Sequence, residues 1–153
     1  MFGGAAWSFK SLRFFKNKRK EIFKFMKAYD IYKLACAIMF ENEGEDRAFE
    51  KKFTPLLGIL CEECLPYENS VREALGKETL PSAPKVASGE EEIPFCDALC
   101  RVALPYGLAS LFWQDDGEVY NSALYRERYI AAIADAAKIN FRDIADVYGG
   151  EAE

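Results

Sequence analysis

Apolar residues along this chain recur at steps of three and four rather than two, the spacing of a helix face and not of a strand. Ile31, Leu34, Ala35, Ile38 and Met39 mark a first helix, with Asp30 as its expected N-cap. The residues from Glu41 to Asp46, Gly44 among them, form a polar break. Phe49, Phe53, Leu56, Leu57, Leu60, Cys61 and Cys64 then carry the period through a second helix. Thr54-Pro55 within it permits two readings, a kink or an N-cap followed by proline at the first helical position.

From Pro66 to Pro94 the period collapses into Pro, Gly, Ser and charged residues, relieved only by a helical turn around Val71 to Leu75. Connections of this length are usually functional or flexible, so residues 66–94 are expected to form a loop or arm that suits contact with a neighbouring subunit. A third helix enters at Ile93-Pro94-Phe95 and carries Cys96, Leu99, Cys100, Ala103, Gly107, Leu108 and Leu111. Pro105 should bend it, because the ring removes a backbone donor and crowds the preceding turn, and small residues at Ala103, Gly107 and Ala109 invite close packing of another helix. Gln114-Asp115-Asp116-Gly117 is an acidic turn, and a fourth helix follows with Tyr125, Tyr129, Ala132, Ile133 and Ala136 at helical spacing. These two helices should form an antiparallel hairpin. Phe141, Ile144, Val147 and Tyr148 are too sparse for a core helix and suggest a tail ordered by a partner. The expected fold is all-α: a small bundle of about four main helices, with a long connection between the second and third and an extended C-terminal tail. The expected boundaries are an extension at 1–25, a helical domain at 26–139 and a tail at 140–153.

Composition narrows the chemistry. With 153 residues, half of them apolar and 14% aromatic, the chain has material for one domain. No apolar run approaches the roughly 20 residues of a bilayer span, so a soluble intracellular protein without membrane contact is expected. The chain has no histidine, which removes the commonest general base and a principal metal ligand. Gly3-Gly4 and Gly149-Gly150 lie near the ends, and neither is followed by the Lys-Ser or Lys-Thr pair of a phosphate loop. The expectation is a non-enzyme that needs no cofactor.

Charge is uneven. Residues 1–27 hold eight basic side chains against Glu21 alone, a net of +7 that leaves −12 for the rest of a chain whose total is −5. Lys and Arg interleaved with Phe14, Phe15, Phe23 and Phe25 would suit a nucleic-acid or anionic-membrane contact. Met26-Lys27-Ala28-Tyr29-Asp30, however, reads as a natural protein start, which would make residues 1–25 translated upstream sequence; that second reading is preferred.

Cys61 and Cys64, together with Cys96 and Cys100, offer four thiolates that zinc can use in principle. They sit at i,i+3 and i,i+4 within helical stripes rather than on Gly-bearing knuckles, so buried thiols are expected and no metal is assigned. Asp115 and Asp116 have no third ligand beside them and read as a solvated turn. Tyr106, Phe112, Trp113, Tyr120, Tyr125 and Tyr129 suit core and subunit contacts.

Taken in order, several segments resemble a known family: Met26-Lys-Ala-Tyr-Asp-Ile-Tyr-Lys-Leu-Ala35, Pro55-Leu-Leu-Gly-Ile-Leu-Cys-Glu-Glu-Cys64 and Ile93-Pro-Phe-Cys-Asp-Ala-Leu, then Ala103-Leu-Pro-Tyr-Gly-Leu-Ala-Ser-Leu111, Leu124-Tyr-Arg-Glu-Arg-Tyr129 and Ile144-Ala-Asp-Val-Tyr-Gly-Gly150. The chain from Met26 to Gly150 resembles the small helical head-tail connector, or adaptor, proteins of tailed bacteriophages and prophages, most of all between Leu104 and Asp116. The resemblance implies a ring of identical subunits, a dodecamer, in the virion neck, assembled in the host cytoplasm. It further implies a portal protein on one side, a stopper or tail-completion protein on the other, and DNA passing through without sequence-specific contact. An acidic body agrees with such passage, since few Lys or Arg side chains would hold phosphates. Phe141, Ile144, Val147, Tyr148, Tyr106 and Trp113 are the candidate partner contacts. Two other functions compete: a helical protein-interaction or regulatory module, and a nucleic-acid binder acting through the basic arm.

Overall fold

A computed structural model describes residues 25–41 and 46–145. It is a helical bundle with one two-stranded antiparallel ribbon, in the order β1 (Met26–Lys27), α1 (Ala28–Ile38), α2 (Arg47–Ala74), β2 (Glu92–Ile93), α3 (Leu104–Asp115) and α4 (Val119–Ala145). A single π-helical turn, Leu99–Ala103, leads directly into α3. The all-α class is therefore correct, and the four expected helices are present.

The first helix begins two residues before Asp30, which lies in its first turn and does not cap it. The cap is instead supplied from far along the chain. Met26 and Lys27 pair with Ile93 and Glu92. The free N–H groups of Ala28 and Tyr29 donate to the carbonyls of Glu91 and Gly89 at 2.8 and 2.9 Å, satisfying donors that a helix start otherwise leaves to water. α2 has the conventional device, with Asp46 Oδ1 accepting from the N–H groups of Ala48 and Phe49, both at 3.0 Å.

Of the two readings at Thr54-Pro55 the N-cap one fails, because Pro55 lies inside the 28-residue α2, and the expectation that the helix gives way at Pro66 needs correction, because Pro66 lies inside it too. Each proline is exposed, as are Lys51 and Glu62, whose carbonyls lose their helical donors, so both interruptions lie on the solvent side of the helix. On the opposite face Leu57, Leu60, Cys61, Cys64, Glu68 and Val71 are buried without a gap across Pro66. That continuous burial outweighs a local cost of roughly 3 kcal/mol for a proline.

The connection is consequently shorter than expected and is no free arm. It follows α2 and folds back on its own bundle, with Ala83 and Ile93 buried and Leu80 and Val86 packed on the core. Side chains of α2 hold its backbone. Asn69 forms a two-way pair with Leu80, donating to its carbonyl at 3.0 Å and accepting from its N–H at 2.8 Å. Arg72 donates to the carbonyls of Glu78 at 3.2 Å and Pro94 at 2.6 Å.

Immediately before Pro105 the helix is a π turn, in which Leu104 N–H reaches back five residues to Leu99 carbonyl and widens it. The acidic turn is as expected. Gly117 adopts φ 80°, and Glu118 N–H closes on Trp113 carbonyl at 2.9 Å. α4 then runs back along α3. Close approach depends on Gly107, where a Cβ would lie 2.9 Å from Leu60 Cδ1 and 3.1 Å from Tyr129 Cδ2. α4 continues to Ala145, so residues 140–145 are helical rather than extended.

Candidate interaction site

The two tyrosines of α4 fix its rotation. Tyr125 hydroxyl donates to Ile38 carbonyl at the end of α1, at 3.3 Å. Tyr129, buried, donates to Glu63 Oε2 at 3.0 Å and touches Cys64 Sγ at 3.3 Å. Arg126 completes that group by pairing with Glu63 at 3.2 Å and lying 5.0 Å over the Tyr129 ring. With α4 locked in this way, its two flanks present different surfaces.

One flank is a trough. Ala98, Val102, Tyr106, Arg128, Ala131, Ala132, Asp135 and Ala136 line a depression of about 430 Å³ between the π turn, α3 and α4. Tyr106 forms part of its wall, with the Arg128 guanidinium 5.9 Å from its ring. Val102 is 44% exposed there. The other flank is a second depression, of about 360 Å³, between α2 and α4: Ile130 and Tyr67, 56% and 43% exposed, line it with Glu63, Arg126 and Ala134. Ile130 and Asp135 are five positions apart, so they point about 140° away from each other around the helix.

A third surface lies at the end of the bundle where α1 and α3 finish and α2 and α4 begin. The contacts of Phe49 with Phe112, Lys52 with Asp115 and Tyr125 with Ile38 bring these termini together. Phe40, Val119 and Tyr120 are 96%, 80% and 78% exposed at this end. Phe40 has φ 59°, a left-handed conformation that a bulky side chain rarely adopts. Trp113 sits nearby, edge-on to Phe112, and its indole N–H is buried without a hydrogen-bond partner among the described residues.

The candidate contacts therefore divide. Tyr106 lines the trough, and Trp113, two turns further along α3, belongs to the aromatic end; they do not share one patch. Phe141 and Ile144 fall on the last turns of α4, while Val147 and Tyr148 lie outside the described residues, as does the basic segment 1–24. The sequence reading missed Phe40, Tyr67, Val119 and Ile130. Ile130 is the one whose signal was available, as an apolar residue off the buried stripe of its helix.

The thiols are core groups. Cys61, Cys64 and Cys100 are buried and Cys96 half-buried, all free. Burial is the main cause that pushes Cys61 up to about 12 and Cys64 and Cys96 up to about 11, and it raises Cys100 as well. They are kept protonated at neutral pH, a poor state for a nucleophile or a metal ligand. Among the described residues no group of three or more ligating side chains is placed to hold a metal ion. No helix among them is long and apolar enough to cross a membrane.

The class defined by this architecture is a small all-α helical bundle with apolar surfaces on several sides. Comparison with family models, with curated proteins and with solved structures finds no match to the chain.

Proposed function

We propose that the protein is a structural subunit of a head-tail connector ring in a tailed bacteriophage or prophage, seated between a portal protein and a stopper or tail-completion protein, with DNA passing through the centre. The observation that carries this reading is the placing of exposed apolar side chains on three separate faces: the trough at Val102, the depression at Tyr67 and Ile130, and the aromatic end. A ring subunit has neighbours on two different flanks and a further partner along the axis, so it needs unlike contact surfaces in that arrangement. Clustered exposed apolar side chains generally mark association surfaces, whereas scattered ones need no explanation. The resemblance between Met26 and Gly150 supplies the identity of the ring.

The test is to purify the chain alone and with the portal protein encoded by the same genome, then measure masses by native mass spectrometry and image the mixture by electron microscopy. A ring on the portal supports the reading. A chain that stays monomeric and leaves the portal bare overturns it.

A further inference from the structure

We infer that the aromatic end of the bundle is a docking surface for a basic, apolar segment of a partner protein, received by Phe40, Val119 and Tyr120 and by the acids around them. The connector reading enters only in making the axial partner, portal or stopper, the protein that supplies the segment.

Exposure is the first support. Phe40, Val119 and Tyr120 are the three most exposed large apolar side chains among the described residues, and all three stand at this end. The bond from Tyr125 to Ile38 ties the end of α1 to the start of α4 and so holds them there together. Phe40 is turned into water by a left-handed backbone, a strain of the kind that collects at binding surfaces.

Charge is the second, and it selects the partner. From Leu34 to Glu41 and from Leu104 to Tyr125, the two stretches that carry the exposed apolar side chains, there is no Lys or Arg, but there are Glu41, Asp115, Asp116 and Glu118. Among the described residues only Asp115 of these four has an ion pair, a long one of 3.8 Å with Lys52. The start of α2 adds Asp46 and Glu50 against Arg47, Lys51 and Lys52, so six carboxylates face three bases at this end. Such a surface repels nucleic acid and anionic lipid, whose phosphates need bases, and attracts a protein segment that sets Lys or Arg beside large apolar side chains. Residues 1–24 share that chemistry, with seven Lys and Arg against Glu21. They join the fold at Phe25, however, which lies beside Leu75 at the far end of the 28-residue α2, about 40 Å from the aromatic end.

The probe is a short synthetic peptide in which Lys alternates with Leu, with its Glu–Leu counterpart as control, titrated into the full chain and followed by amide NMR shifts and calorimetry. The Lys–Leu peptide should bind, shift the amides of Phe40 and of residues 116–122 most, and weaken as ionic strength rises. The Glu–Leu peptide should not bind. Tyr120→Ser, and the double change Asp116→Asn with Glu118→Gln, should each weaken binding about 10-fold. Val102→Ser and Ile130→Ser, on the other two faces, should bind as the wild type does. Unchanged circular dichroism and melting temperature confirm that each variant folds.

A Lys–Leu peptide that fails to bind, or whose binding survives both changes at the aromatic end intact, overturns the inference. Carbodiimide cross-links from the lysines of residues 1–24 to the acids at this end, with no peptide bound, give the surface to the chain's own basic segment and also overturn it. Capture of the axial partner by both end variants as well as by the wild type overturns it while leaving the ring on the portal, and with it the connector reading, intact. A peptide seated at this end of a chain that leaves the portal bare upholds the inference and removes the connector reading.

Discussion

Arg72 Nε donates to Glu68 Oε1 at 2.8 Å, and the same carboxylate accepts the backbone N–H of Cys96 through Oε2 at 2.8 Å. Glu68 is 3% exposed on the buried face of α2. The ion pair is thus a clasp rather than a surface ornament: Glu68 orients Arg72, and Arg72 holds both ends of the connection through Glu78 and Pro94.

Substituting Glu68→Ala leaves a half-buried guanidinium and a backbone donor unmatched, so a loss of about 3–5 kcal/mol is expected in urea unfolding. Proteolysis should cut first between residues 75 and 98. A variant as stable and as resistant as the wild type would show that the clasp contributes nothing.

The two helical glycines should respond in opposite directions. A methyl at Gly107 collides with buried Leu60 and Tyr129, and Gly107→Ala is expected to cost about 1–3 kcal/mol. Gly58 has nothing within 4 Å of its would-be Cβ, so Gly58→Ala should stabilise by about 0.5–1 kcal/mol. Thermal melts of the two variants decide the matter, and equal shifts of the same sign would contradict the packing described.

The raised thiols make alkali destabilising. Unfolded cysteines lose their protons around pH 9.0, while Cys61 in the folded chain holds its proton to about 12 and Cys64 to about 11. Their contribution to stability is present in full below pH 9 and is lost as pH rises towards those folded values, at about 1.4 kcal/mol per pH unit for each thiol. A melting temperature flat between pH 9 and 11 would refute this. By the same logic, a disulfide reagent at pH 8 should modify these thiols only as fast as the protein opens.

Phe40 sets stability against association. It buries almost nothing and adopts φ 59°, so Phe40→Gly relieves backbone strain and should raise stability slightly, by roughly 0.5–1 kcal/mol. If the aromatic end is a partner surface, the same change should weaken capture of the axial partner in the reconstitution described above. Full binding by Phe40→Gly would remove Phe40 from that surface.

The elements that sequence reading recovered are those whose buried stripe is uninterrupted: α1, the first half of α2, and the hairpin from Leu104 through the Gly117 turn to Ala136. It stopped α2 at Pro66 because a one-dimensional reading treats proline as a terminator, whereas the outcome depends on which face of the helix it occupies. It missed the ribbon because Met26–Lys27 and Glu92–Ile93 are too short to show alternation, and only their pairing defines them. The clasp was invisible for a related reason: Glu68, Asn69 and Arg72 look like ordinary solvated residues until the connection folds over them. Of the candidate contacts, Tyr106 falls on an open surface, but the exposed Ile130 and Tyr67 on the other flank required knowing how α4 is rotated.

The capping of α1 by Gly89 and Glu91 gives the chain a built-in order of assembly. Its first turn cannot saturate its amides until a segment some sixty residues later has returned to meet it, so α1 gains its last stabilisation only after the chain has closed that loop. The amide hydrogens of Ala28 and Tyr29 are therefore natural clocks. Their exchange with solvent deuterium times the undocking of the connection, separately from the opening of the bundle itself.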